Sequence, residues 1–157
     1  DVKVLSGYTG NFTDAGSGKQ LSLSMHSKGA DIIYAAAGAC GLGTIEAAQQ
    51  NDFYAIGVDT DQDGVAPGYV LCSMLKHVGT ATFDAIKAAK EGNFKPGIHV
   101  LGLKENGVGV SPMTYTKDKV PAELLEKVEK LKEMIIAGEI VVPTTEDELN
   151  AFEPPSL

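Results

Sequence analysis

DIIYAAAGACGLGTIEAAQQNDFYAIGVD, residues 31–59, sets two short apolar runs on either side of a Gly- and Ala-rich stretch. DIIYAAA and YAIGV are almost continuously apolar, the pattern of strands covered on both faces in a parallel sheet. Between them Gly43–Asn51 (GTIEAAQQN) is Ala-rich and reads as a helix. The stretch is therefore one strand–helix–strand unit, the building block of an α/β sheet.

Outward from this unit the alternation repeats. Strands are expected at Val2–Ser6, Asp31–Ala36, Tyr54–Val58, Tyr69–Ser73 and Ile98–Leu103, with a short one at Val108–Pro112. Besides Gly43–Asn51, helices are expected at Lys19–Lys28, after the small-residue turn DAGSG, and at Val78–Glu91, where Phe83, Ile86 and Ala89 share a stripe. The strongest helix is Pro121–Ala137, with Pro121 at its first position and Gly138 as a left-handed cap. Leu124, Leu125, Val128, Leu131 and Ile135 line one of its faces, and Glu123–Lys127 and Glu126–Lys130 are favourable i,i+4 pairs. The expected fold class is α/β: a Rossmann-like, doubly wound, mostly parallel sheet. No repeat or linker divides it, so residues 1–143 read as one domain and 144–157, acidic and Pro-bearing, as a tail covering the surface or partly disordered.

Composition narrows the function. A net charge of −8, with 13 basic residues that are all scattered lysines, argues against a nucleic-acid partner. No apolar run approaches the ~18 residues of a membrane span. Cys40 and Cys72 are too few for a disulfide framework and read as buried free thiols. Asp1 leads directly into a strand-like run, so a fragment or processed product is expected, any signal peptide or lipid-attachment cysteine lying upstream.

Asp59 emerges at the carboxyl end of a buried strand, the edge where open α/β sheets hold ligands, and there a carboxylate can accept from ligand hydroxyls. Read alone, it fits a turn cap equally well. The run Asp59-Thr-Asp61-Gln-Asp63-Gly64 imitates an EF-hand loop, but Val70 stands where that motif needs its bidentate Glu. The loop Gly38-Ala-Cys-Gly-Leu-Gly43 could bring backbone N–H groups to a ligand, aided by the positive end of the following helix, yet it misses the dinucleotide register. Gly16-Ser-Gly-Lys19 suggests a phosphate loop, but Thr13 and Gln20 occupy two positions that loop requires. Phe12, an aromatic in a polar Gly-rich loop, suits a stacking platform better than a core. Lys76 directly follows an apolar strand at the same edge, although a solvated lysine is the commoner case. His26, His77 and His99 show no metal-ligand spacing, and no nucleophile or acid–base set appears. No cofactor, metal site or catalysis is expected; a Rossmann-type enzyme is the weakest alternative.

Together these segments resemble the basic membrane protein family of purine-nucleoside receptor lipoproteins serving ABC importers. The resemblance is carried by Gly10-Asn-Phe-Thr-Asp14 with Gly18-Lys19, Gly29–Gly38 running into Gly41-Leu-Gly43, Ile56-Gly-Val-Asp-Thr-Asp-Gln62, Ser73 with Lys76, Gly102-Leu103 with Gly107-Val108, and Ile136-Ala-Gly-Glu-Ile-Val-Val-Pro143. It covers nearly the whole chain and only the C-terminal half of such proteins. It implies one lobe of a type I periplasmic-binding-protein fold, with the N-terminal lobe absent. It further implies Phe12 stacking on a purine, Gly38 against the ribose, and Asp59 and Lys76 bonding the ribose hydroxyls. An ABC permease as partner and an extracytoplasmic, lipid-anchored location at the bacterial membrane follow from the same resemblance. A ligand-sensing regulatory protein on the same fold is the alternative.

Overall fold

The computed structural model describes residues 2–155; Asp1 and the last two residues of the expected tail lie outside the described residues. Four strands, β1 (Ile32–Tyr34), β2 (Tyr54–Asp59), β3 (Val70–Lys76) and β4 (Val108–Val110), form one sheet in that order. β1, β2 and β3 are parallel, with Tyr34 opposite Ile56 and Asp59 opposite Leu75, while β4 runs antiparallel to β3. The α/β class and mostly parallel sheet thus match the expectation.

Helices α1 (Ala15–His26) and α2 (Cys40–Asn51) pack on each other, and α2 covers the sheet. Ile45, Ala47 and Ala48 of α2 meet Ile33, Phe53, Ala55 and Val70 in the core. α1 starts four residues earlier than expected, because Asp14 caps it: its carboxylate accepts from the Gly16 N–H at 2.9 Å and from the Ser17 hydroxyl. DAGSG is therefore the first helical turn and not a loop. Gly18 stands in it because a Cβ there would collide with the Cys40 carbonyl of α2, and Gly43 because a Cβ would collide with the Ala15 carbonyl of α1. Lys19 pairs with Glu46 across the same contact at 2.7 Å, so the GSGK lysine belongs to helix packing.

Two expected strands are coil. Val2–Ser6 and Ile98–Leu103 pair with no neighbour among the described residues, and Val2 and Ile98 are 91% and 97% exposed. An apolar run becomes a strand only where another strand satisfies its N–H and C=O groups. The expectation of strands buried on both faces also fails at β1, whose Ile32 and Tyr34 are exposed.

The later helices are present but bare. α3 (Val78–Lys90) and α4 (Ala122–Ala137) bury no residue, and Phe83 and Ile86 stand 65% and 64% exposed. Gly138 caps α4 at φ 79, as expected, whereas Pro121 is its N-cap and not its first residue. Glu123 and Lys127 pair at 2.9 Å; among the described residues Glu126 and Lys130 do not, consistent with the few tenths of a kcal/mol such pairs contribute. In the tail, α5 (Glu146–Asn150) opens with a capping box of Thr145 and Glu148, and Phe152 lines a groove with Met134 and Ile140. The tail accordingly lies against the end of α4.

Candidate functional site

Because β1, β2 and β3 are parallel, their carboxyl ends share one edge of the sheet. Asp59 ends β2 and Lys76 ends β3, and their side chains meet at 2.8 Å. The chain leaving β1 reaches Gly38, where φ is +58. A Cβ on Gly38 would stand 2.8 Å from the Phe12 carbonyl, so the two loops touch. All four residues singled out in the sequence therefore lie along this edge, as two contacting pairs.

The loop carrying Phe12 is organised by Asn11, whose Oδ1 accepts from the Thr13 and Asp14 N–H groups at 3.0 and 2.8 Å. Asn11 also contacts the buried Cys40 thiol, and the Phe12 carbonyl accepts from the Ala39 N–H at 2.8 Å. The backbone is thus fixed while Phe12 stands 71% exposed. Four N–H groups of the Gly38–Gly43 loop are already engaged by the main chain. Those of Ala39, Cys40, Gly41 and Leu42 donate to the carbonyls of Phe12, Ala37, Gly38 and Ala39. Gly41 and Gly43 already lie inside α2, which serves packing.

Asp59 and Lys76 line an open groove of about 550 Å³ with Thr60, His77, Gly79 and Asn106; Phe12 and Gly38 lie outside it. The Asp59 carboxylate holds the Lys76 amine above its ordinary 10.5, first by hydrogen bonding and then by its charge. Both side chains are about half exposed, and such a pair contributes at most about 1 kcal/mol to stability. Yet Asp59 adopts φ 69, a left-handed conformation that costs an L residue about 1–2 kcal/mol. The ion pair at most offsets the cost of the backbone that holds it.

The histidines are engaged by main-chain carbonyls: His26 Nδ1 with Ala30, His77 Nδ1 with Asn106 and His99 Nε2 with Lys95. Of the free cysteines, Cys40 is buried as expected, while Cys72 is only partly so; burial, and then the charge of Asp63, push its thiol pKa up. Sequence reading did not single out the groove residues Thr60 and Asn106. Only Thr60 carried a signal, its place beside Asp59.

The family model for ABC transporter substrate-binding protein PnrA-like matches residues 1–146. Basic membrane protein D of Borreliella burgdorferi (strain JD1) is 39% identical over 147 residues, spanning 91% of this chain and 43% of that protein. The ABC transporter nucleoside-binding protein BmpA of Lactococcus lactis is 34% identical over 162 residues, spanning 92% of this chain and 45% of its own. The crystal structure of an ABC transporter solute-binding protein from Aeropyrum pernix K1 superimposes with a TM-score of 0.80 at 30% identity, covering 96% of this chain and 51% of that one. The chain spans about half the length of these relatives. With the family model covering nearly all of it, this chain belongs to the PnrA-like family of ABC transporter substrate-binding proteins.

Proposed function

We propose that residues 1–143 are one lobe of a receptor that captures a nucleoside, purine by preference, and hands it unchanged to an ABC permease outside the cytoplasm, from a lipid-anchored position. The observation that carries this reading is the Asp59–Lys76 pair at 2.8 Å on the edge that also bears Phe12 and Gly38. A carboxylate only accepts hydrogen bonds and an ammonium only donates them. A vicinal diol does both, so each ribose hydroxyl can donate to Asp59 and accept from Lys76. The exposed Phe12 ring offers a face for the base, and Gly38, lacking a side chain, lets the sugar approach. The Lactococcus lactis relative, an ABC transporter nucleoside-binding protein, supports a nucleoside as the ligand class. Enclosure by a second lobe would dry the two charged groups and strengthen their bonds.

The test is calorimetry on the intact protein carrying this chain, with guanosine, inosine, adenosine and their deoxyribose analogues. Asp59→Ala is expected to weaken ribonucleoside binding by about 1.5–3 kcal/mol, the worth of a charged hydrogen bond. Residues 1–157 alone should bind far more weakly. Absence of heat with every nucleoside sinks the proposal.

A further inference from the structure

Asp59 holds its left-handed φ in a γ-turn, with the Thr60 N–H donating back to the Val58 carbonyl at 2.8 Å. Positive φ is the rare, strained hand of that turn. Something must hold it, and a chain of buried and half-buried polar groups leads to Val58. The Val58 N–H donates to Gln62 Oε1 at 2.9 Å, and the Gln62 N–H donates to Ser73 Oγ at 3.0 Å. Ser73 Oγ in turn donates to Asp63 Oδ1 at 2.9 Å. Ser111 on the far side completes the set: its Oγ accepts from the Ser73 N–H at 2.8 Å and donates to the same Asp63 oxygen at 2.9 Å. Asp63, Ser73 and Ser111 are 1%, 0% and 4% exposed. Each hydroxyl spends a lone pair on a backbone N–H, so its proton needs an acceptor, and one carboxylate oxygen serves both. Gly57 leaves the room, since a Cβ there would stand 2.7 Å from Ser73 Oγ and 2.9 Å from Gln62 Oε1.

We propose that half-buried Gln62 and buried Asp63, Ser73 and Ser111 form a clamp, with Asp63 as the positioning residue, that forces Asp59 into the backbone conformation presenting it to Lys76 and to ligand. It rests on the nucleoside reading only for its second readout. The clamp ties the turn after β2 to β3 and to the residue following β4, so it reaches the edge of the sheet from three segments. It also accounts for the third carboxylate of the Asp59–Asp63 run, which faces inward to serines and away from the groove.

The experiment compares Asp63→Ala, Asp63→Asn and Asp59→Ala in the intact protein. In Asp63→Ala the Asp59 φ, read from its HN–Hα coupling and carbon shifts without ligand, should leave the left-handed region. Inosine affinity should fall about tenfold or more. Asp63→Asn keeps an oxygen for both serines and should restore part of each loss. Adding Asp63→Ala to Asp59→Ala should cost little further affinity, because the clamp acts through Asp59. An unchanged φ overturns the proposal, as does unchanged inosine affinity where Asp59→Ala itself weakens binding. If the intact protein binds no inosine, the nucleoside reading fails; if Asp59→Ala leaves inosine affinity intact, Asp59 does not hold the ligand; in either case the φ of Asp59 alone decides the clamp. Should Asp63→Ala not fold, Ser111→Ala removes one donor to the same oxygen and carries the same readouts.

Discussion

At Gly38 two demands fall on one residue: a φ of +58 and room for the Phe12 backbone at 2.8 Å. Gly38→Ala should therefore destabilise the protein by about 1–2 kcal/mol for the left-handed backbone, with a further cost for displacing the Phe12 loop. Denaturant titration followed by circular dichroism measures the first cost. The second shows as amide shift changes at Thr9–Asp14. Asp59 shows what sequence leaves open at this scale. Its place at a strand end was legible from the apolar run before it, but a turn cap and a ligand group look alike in sequence. What sequence could not show is the partner across the sheet, Lys76, which the parallel register of β2 and β3 brings to Asp59.

At the scale of elements, helix–helix contact explains residues whose spacing suggested a ligand loop. Glycine in a helix normally costs about 1 kcal/mol relative to alanine, so Gly43→Ala ought to stabilise α2 by that amount. In this fold the added methyl would strike the Ala15 carbonyl of α1, and the helices would have to separate. Loss of about 1–3 kcal/mol is expected instead, measured by thermal or denaturant unfolding. A gain would mean that the α1–α2 crossing is looser than described. The helices themselves were readable from apolar spacing, and the left-handed cap at Gly138 from glycine alone. Their starts were less so: Asp14 caps α1 because its carboxylate accepts from the first-turn Gly16 N–H, while Pro121 occupies the N-cap position of α4 without a side-chain bond.

For the molecule as a whole, the unburied apolar stripe of α3 has a measurable consequence. Replacing Phe83 and Ile86 together by serine should change the stability of this 157-residue chain by no more than about 1 kcal/mol, because both side chains are already largely in water. A loss of several kcal/mol on thermal unfolding would show that the stripe is covered in solution. Sequence by itself determined the alternation of strand and helix, the α/β class, and which residues stand at strand ends, since these follow from local apolar periodicity and from the backbone freedom of glycine and proline. It could not determine whether Val2–Ser6 and Ile98–Leu103 become strands, because that depends on a neighbouring strand to take their hydrogen bonds. Nor could it bring Asp59 to Lys76, tie Phe12 to Gly38, or turn Asp63 inward to Ser73 and Ser111. Those meetings join residues 10 to 48 positions apart, and only sheet register and helix packing bring such distant groups within a bond length of a few ångström.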